Sequence, residues 1–402
     1  MPSKGYGSRT ETRRCRIVRR PRIAVRVAAA LLPIGLLAGC VSPFAPLTPS
    51  GLEIVTASAP SEQERYCAWF GDRDGDTLYV GLAPFWSAMR AAGGDPTADL
   101  RLAGPQLIGR FDLTRERWRE PLRVDTEERR SGVWDVHARG GQVVFTTFYE
   151  PAGRVDVDSG HVVSFDAAGR ALNEIADGPA GRVLVSRYGS GEEVAGDGEL
   201  VALDSEGSII ETWPLRGPPG FRVAPKTPAW DPARGELWTT ADLLATDLGG
   251  EVRHDSYVVG RSGALHRIET PELQFVAVAP DGRRYAAEVE GGALWLRVVD
   301  PPDPASFDAT PTRRILVDPS FPRPLDFVQD LKLAASGRVI LMRWSGTLHV
   351  VEPDGTVLSR RLPRIDPEGL YYTAVQHGDR ICATYCADVT VVCLDAPTLR
   401  GE

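Results

Sequence analysis

The chain has 402 residues and a formal charge of −8, with 54 acidic against 46 basic side chains. The first 39 residues hold nine basic residues and one acid, so without them the charge falls from −8 to −16. An acidic surface of that size repels phosphate backbones and anionic lipid heads, which excludes nucleic acid as a partner and leaves no electrostatic route to a membrane.

The chain opens on a basic stretch containing Lys4, Arg9, Arg13, Arg14, Arg16, Arg19, Arg20, Arg22 and Arg26, then an apolar stretch from Val27 to Leu37. At about 1.5 Å per residue that stretch falls well short of a hydrocarbon core of roughly 30 Å, so it reads as a cleaved export signal and not as a transmembrane helix. Leu37-Ala38-Gly39-Cys40 follows and resembles the lipobox of bacterial lipoproteins. The resemblance implies a diacylglycerol on the Cys40 thiol, removal of residues 1–39, and a fatty-acyl (palmitate) anchor as the link to the membrane. Val41 is not the aspartate that retains such proteins in the inner membrane, which implies the periplasmic face of the outer membrane or the cell surface. Arg13-Arg14 hints at twin-arginine export, but Cys15 and Arg16 depart from that motif, and the general secretory route is the default. Residues 40–60 are expected to form a tether with one strand, Leu52 to Thr56, and residues 61–402 a single large domain.

Within that domain, glycines and prolines (41 and 32 in the whole chain) punctuate short apolar alternations, the pattern of many strands joined by tight turns. A glycine, one polar residue and a strand-like run recur seven times, at Gly75, Gly141, Gly181, Gly235, Gly282, Gly337 and Gly378, with intervals of 66, 40, 54, 47, 55 and 41 residues. About 40 residues is the length of a four-stranded propeller blade. Another strand-like run precedes each turn, and a third follows most of them: HVVSFD, ELVALD, SYVVGR, ALWLRVVD, TLHVVEPDG and TVVCLD. The expected fold is therefore all-β, a seven-bladed β-propeller, with six blades as the alternative.

The longer intervals have local sources. Residues 83–104 interrupt the first blade with a Pro-flanked insertion, Trp86 to Ala92, for which a helix is one reading. The Pro-rich segment 301–311 separates the outer strands of blade five, and the stretch from Asp166 to Gly181 is too short for two strands, so the outer strand of blade two is expected to be vestigial. An unsealed ring exposes two sheet edges. Leu52 to Thr56 is expected to supply the outer strand of blade seven and close it.

Four cysteines follow the signal: Cys67, Cys382, Cys386 and Cys393. In an exported protein an even number reads as disulfides, with free buried thiols and a metal site as the alternatives. If Ala387-Asp388 is a two-residue hairpin turn, Cys382 falls opposite Cys393, leaving Cys67 and Cys386 to link the first and last parts of the domain.

The turns VAVAPDGRR, TPAWDPARGELW and VALDSEG resemble those of the broad NHL, YVTN and gluconolactonase-like superfamily of six- and seven-bladed propellers, over roughly residues 65 to 395. For its lactonases the resemblance implies a divalent metal in the axial channel, held by an early Glu in an E-G-P-x-W context, one or two Asn and a late Asp. This chain has no E-G-P-x-W, and its single Asn is Asn173.

Alignment of the strands that follow the seven glycines places Gly81, Thr147, Arg187, Ala241, Glu288, Arg343 and Thr384 at one equivalent position. Arg187, Glu288 and Arg343 then gather near the channel mouth as a pocket for a carboxylate or phosphate, or form inter-blade salt bridges. Tyr149, Glu150, Glu192, Glu193, Asp197, Asp242 and Asp247 in the following loops suit a rim that binds Ca²⁺ or a sugar, or are simply solvated. Asp72-Arg73-Asp74-Gly75-Asp76 has the alternating acids of a calcium loop without its distal Glu, and reads as the first hairpin turn. The six histidines show no pair at helical metal spacing and read as structural. The leading expectation is a non-enzymatic binding or scaffold module for a protein, peptide or glycan. The alternative is a metal-dependent lactonase or hydrolase with a non-standard ligand set and a divalent cation as cofactor.

Overall fold

A computed structural model describes residues 52–56, 66–83, 106–124, 132–147, 151–168, 172–188, 198–245, 252–260, 262–268, 273–300, 313–321, 326–365, 369–386 and 389–395. These residues form seven antiparallel sheets. Blade 1 comprises Cys67–Asp74, Thr77–Ala83, Leu107–Asp112 and Arg117–Arg123, and blade 2 Val133–Arg139, Gln142–Thr147, Gly153–Asp156 and Val162–Ser164. Blade 3 comprises Leu172–Asp177, Val183–Arg187, Glu199–Leu203 and Ile209–Pro214. In blade 4 the inner strand is in two pieces, Phe221–Pro225 and Ala229–Asp231, both paired with Glu236–Ala245, and Val252–Val259 and Leu265–Ile268 follow. Blade 5 comprises Leu273–Val278, Arg284–Glu290, Ala293–Val299 and Arg313–Asp318, and blade 6 Val328–Leu333, Val339–Arg343, Thr347–Val351 and Val357–Arg361. Blade 7 comprises Tyr371–His377, Arg380–Tyr385 and Thr390–Asp395, and takes its outer strand, Leu52–Thr56, from the other end of the chain.

Each inner strand packs against the inner strand of the next blade, and the seventh packs against the first. The fold is a seven-bladed β-propeller, and the six-bladed alternative is excluded. All seven repeat glycines carry positive φ, from 57° at Gly378 to 81° at Gly282 and Gly337, the conformation that a hairpin turn asks for and that glycine adopts at least cost. Gly81 answers to a different constraint: a Cβ there would meet the Val133 and Trp134 carbonyl oxygens of blade 2 at 2.9 Å.

The core is divided among the seams between blades. One apolar cluster fills each of the seven: Tyr79, Ile108, Val136 and Phe145 pack between blades 1 and 2, and Ile340, Met342, Ile381 and Ala383 between blades 6 and 7. Burial of each such large side chain contributes about 1.5–3 kcal/mol, so stability is distributed round the ring.

Two assignments differ from the sequence reading. HVVSFD is the fourth strand of blade 2, and the third is Gly153–Asp156, which a Gly-Arg start disguises. The reduced outer strand of this blade is therefore Val162–Ser164, and the residues after Asp166 turn directly into blade 3. The insertion in blade 1, the segment 301–311 and the Ala387-Asp388 turn lie outside the described residues.

One disulfide lies in the closing blade and the other joins it to blade 1. Cys382 and Cys393 face each other across neighbouring strands and are bonded, and Cys67 at the start of blade 1 is bonded to Cys386 at the end of the second strand of blade 7. The second bond spans 319 residues, against 11 for the first. Constraint of the unfolded chain grows with loop length. Removing Cys67–Cys386 by paired Ala substitution should cost about 2–5 kcal/mol and more than removing Cys382–Cys393, as read from urea-unfolding midpoints of the two variants.

Candidate functional site: the axial channel

The inner strands share one irregularity. Their pairing with the second strand shifts register between Ala68 and Gly71, Val133 and Val136, Leu172 and Ile175, Leu273 and Phe275, Val328 and Asp330, and Tyr371 and Ala374. In blade 4 the inner strand breaks outright between Pro225 and Ala229. A bulge leaves residues outside the ladder and re-aims their side chains. Here it does so at seven equivalent places round one axis.

The bulges of blades 7, 1 and 2 carry Tyr372, Trp69, Phe70 and Trp134, which meet as one aromatic cluster, with Trp69 4.2 Å from Trp134 and 4.5 Å from Tyr372 between ring centroids. Trp344, stacked on Phe327 at 5.0 Å, extends it from blade 6. This cluster lies at the end of the ring where the second strands finish. Polar residues share these irregular places: Asp135 and Thr373 beside the rings in blades 2 and 7, and Glu174, Lys226, Thr227 and Gln274 in blades 3, 4 and 5.

These polar groups fasten blade to blade. The Asp135 carboxylate accepts the Ile175 N–H of blade 3 at 2.9 Å, and Thr227 of blade 4 donates to Glu174 of blade 3. Thr240 donates to the Gln274 carbonyl of blade 5 at 2.8 Å, and the Gln274 side chain accepts the Val328 N–H of blade 6 at 2.8 Å. Thr373 donates to Asp330, joining blades 7 and 6, and Thr384 donates to the Trp69 carbonyl at 2.8 Å, joining blades 7 and 1. Between blades 1 and 2, Asp72 accepts the Ala138 N–H at 3.0 Å and lies 3.0 Å from His137. Every seam is crossed.

One lysine serves four acids in this channel. Lys332 lies 3.9 Å from Asp330, and the fields of Asp330, Asp72, Asp135 and Glu174 outweigh its burial and hold it firmly charged. One cation does not neutralise four carboxyls. Burial pushes Asp135 up to about 7 and Glu174 up to about 8, the latter aided by the charges of Asp135 and Asp330, so both keep protons near neutrality. Asp72 goes the other way: burial opposes its charge, but the hydrogen bond from His137 and the Lys332 charge bring it down to about 2. His137 lies between Asp72 and Asp177, and those hydrogen bonds overcome its burial and raise it to about 10.

The residues singled out from sequence are placed as follows. Arg187, Glu288 and Arg343 are buried, and each is satisfied separately, the first two chiefly within their own blades and Arg343 also across the seam to blade 5, instead of in a shared pocket. Arg187 pairs with Glu199 opposite it on the third strand and donates to the Ala168 carbonyl. Glu288 accepts from Arg297 and Arg314, and Arg343 pairs with Asp326 and Asp318. A buried charge needs a hydrogen-bonded partner, and the outer strands supply one nearer than the axis. Asp242 is bonded to Lys226 at 3.0 Å and His254 at 2.7 Å, which hold its carboxyl low against the cost of burial. Tyr149, Glu150, Glu192, Glu193, Asp197, Asp247 and Cys40 lie outside the described residues.

The acids around Gly75 point to neighbouring blades: Asp72 to His137, Asp74 to the Gly141 N–H and Asp76 to His377. That motif is a hairpin turn whose carboxylates staple seams. Among the described residues no group of three or more His, Cys, Asp or Glu is arranged to hold a metal ion, so the divalent cation implied by the lactonase resemblance finds no fitting donor set there. The axial residues Trp69, Trp134, Asp135, Glu174, Asp330 and Lys332 are absent from the sequence reading. Their signal was the break in strict alternation in the inner strands, two adjacent aromatics at Trp69-Phe70 and an aromatic beside a polar residue at Trp134-Asp135 and Tyr372-Thr373.

No known protein family matches the sequence, and no curated relative does. The fold is similar to that of a catalytically inactive virginiamycin B lyase from Staphylococcus aureus determined with quinupristin, with TM-score 0.53 and 11% identity over 86% of this chain and 99% of that one. It is also similar to the computationally designed Ika8 protein (TM-score 0.51, 12% identity, 84% and 98% of the two chains). A third likeness is to the extracellular domain of the putative hybrid two component system BT4673 from B. thetaiotaomicron (0.53, 12%, 86% of this chain and 42% of that one). At these identities the likeness shows the propeller fold.

The channel acids set a pH signature. Glu174, raised to about 8, costs stability progressively as pH climbs from the ordinary carboxylate range to about 8, because the unfolded chain ionises first. Glu174→Gln keeps an acceptor for Thr227 and removes that penalty. It should raise the unfolding midpoint at pH 9 and leave it nearly unchanged at pH 4. His137 has the opposite sign: its contribution is complete below the ordinary histidine value and is lost as pH rises through about 10. His137→Gln should cost about 1–3 kcal/mol at pH 6 and much less at pH 11, measured by urea unfolding at both pH values.

Proposed function

We propose that the protein is an exported lipoprotein, anchored through Cys40, whose propeller is a binding or scaffold module for a protein, peptide or glycan partner. The observation that carries the binding half is the aromatic cluster of Trp69, Trp134, Tyr372 and Trp344, gathered at the end of the ring where the seven second strands finish. Trp69, Trp134 and Tyr372 are buried, so the cluster forms the rigid apolar floor of this end and supports the segments that would meet a partner there. The segments joining second to third strands leave from this end, and the longest, 84–105, interrupts blade 1. Ring closure by the first strand, with two disulfides beside it, suits a rigid platform in an oxidising compartment. The anchor rests on the lipobox and the regions before it, and the outer membrane follows from Val41.

Two measurements test this reading. In a Gram-negative host fed a clickable fatty acid, the wild type should be labelled and sediment with membranes, and Cys40→Ser should lose both properties; equal labelling of the two would remove the anchor. A photo-reactive phenylalanine analogue at Ile365, exposed at the end where the second strands finish, should cross-link a partner in intact cells. The same analogue at Ile209, exposed at the start of the outer strand of blade 3, should not. Cross-linking from Ile209 alone would move the interface away from the aromatic end.

A further inference from the structure

The opposite end of the ring carries a separate feature. Arg284 begins the second strand of blade 5, next to the turn at Gly282, and lies 4.4 Å over the Trp238 ring of blade 4. Its residue exposure is 4%, yet Nε and Nη2 have no hydrogen-bond partner. Those two nitrogens form one edge of the guanidinium, where two N–H groups point side by side and match the oxygens of a carboxylate or phosphate. Elsewhere the protein fills that same edge with an acid: Arg119 uses Nε and Nη2 on Asp112, and Arg343 uses them on Asp326.

The charged neighbours of Arg284 are otherwise engaged. Asp231 accepts the Ala233 and Arg234 N–H groups and pairs with the Arg234 guanidinium, which also donates to the Gly282 carbonyl at 3.2 Å. Glu236 accepts the Trp238 indole N–H at 3.2 Å. Burial lowers Arg284 to about 10, with the Arg234 charge adding to the effect, so it stays cationic at neutral pH. A buried cation with one whole donor edge left without hydrogen bonds is costly, and an arginine cannot escape by losing its proton.

We propose that the seam between blades 4 and 5 is an oxyanion site, in which the Nε and Nη2 edge of Arg284 receives two oxygens of a carboxylate or phosphate group. The seam is built to admit one. Its blade 4 side is the detached three-residue strand Ala229–Asp231 and the following turn, the short piece of an inner strand that is continuous in the other blades. A small shift of that piece opens the edge without breaking a full ladder. The site stands at the Gly-turn end, away from the aromatic cluster, and is independent of the partner proposed above.

The test is thermal unfolding of the full chain in detergent, titrated with inorganic phosphate and separately with acetate at constant ionic strength. The wild type should show a saturable rise of about 2–4 °C in its midpoint with at least one of them. Arg284→Met removes the charge and fork together, and Arg284→Lys keeps the charge without the fork; both should lose the rise. The anion with the lower half-saturation concentration identifies the ligand as phosphate-like or carboxylate-like. Line broadening of the phosphate ³¹P resonance and the acetate ¹³C resonance by wild-type protein gives the same answer should either variant fail to fold. The proposal is overturned by an equal midpoint shift in wild type and variants, or by a wild type insensitive to both anions.

Discussion

Six bulges and one strand break, at one level of the ring, create the constraint on which the architecture turns. A bulged residue loses ladder partners for its backbone groups, and a buried N–H or C=O without a partner is expensive. The preceding blade supplies partners in and beside several of them: Ile175 N–H goes to Asp135, Val328 N–H to Gln274, the Gln274 carbonyl to Thr240 and the Trp69 carbonyl to Thr384. Irregularity in one strand thus becomes cohesion between two. The polar inner surface is the means by which seven separately pleated sheets are held in register, while the apolar clusters between them supply most of the stabilisation.

That arrangement has an electrostatic consequence. Carboxylates are efficient acceptors for two N–H groups at once, which suits Asp135 and Asp72, but acids placed for backbone reasons converge on the axis whatever their charge. Lys332 and His137 offset part of the repulsion, and protonation of Asp135 and Glu174 offsets the rest. Lys332 keeps about a third of its side chain exposed (32%), so water also screens this cluster. Aromatic rings from blades 7, 1, 2 and 6 gather at one end of the channel. The result is a two-sided axis at the level of the bulges, aromatic toward blades 7, 1 and 2 and polar toward blades 3 to 5, with Asp72, Asp330 and Lys332 nearer the turn end.

The ring itself was legible in the sequence because its most demanding positions are chemically narrow. A left-handed turn residue is nearly always glycine, and the seven repeat glycines all hold positive φ. Cys382 and Cys393 were legible because antiparallel register is simple counting. The axial site was not, since each bulge displaces the alternation by one residue and an alignment on the second strands passes over it. Arg187, Glu288 and Arg343 illustrate the converse: equivalent positions do share a face, but charge pairing along the sheet decided their partners. Short third strands also mislead. Gly153–Asp156 lacks the apolar run that marked its counterparts, so its neighbour Val162–Ser164 took its place in the reading.

Closure explains why all four cysteines that follow the lipobox lie in blade 7 or at its border. Six seams join blades that are consecutive in the chain, so their formation requires only local loop closure. The seventh joins residues 319 apart, and its outer strand precedes blade 1 in the chain, so it carries the largest single loop-closure cost of the ring. A covalent bond from Cys67 to Cys386 reduces that cost in the unfolded chain, and Cys382–Cys393 stiffens the sheet that receives Leu52–Thr56. Side-chain bonds suffice at the six local seams, whereas the long-range seam also carries a disulfide and a borrowed strand. Extra fastening has therefore accumulated where chain connectivity contributes least.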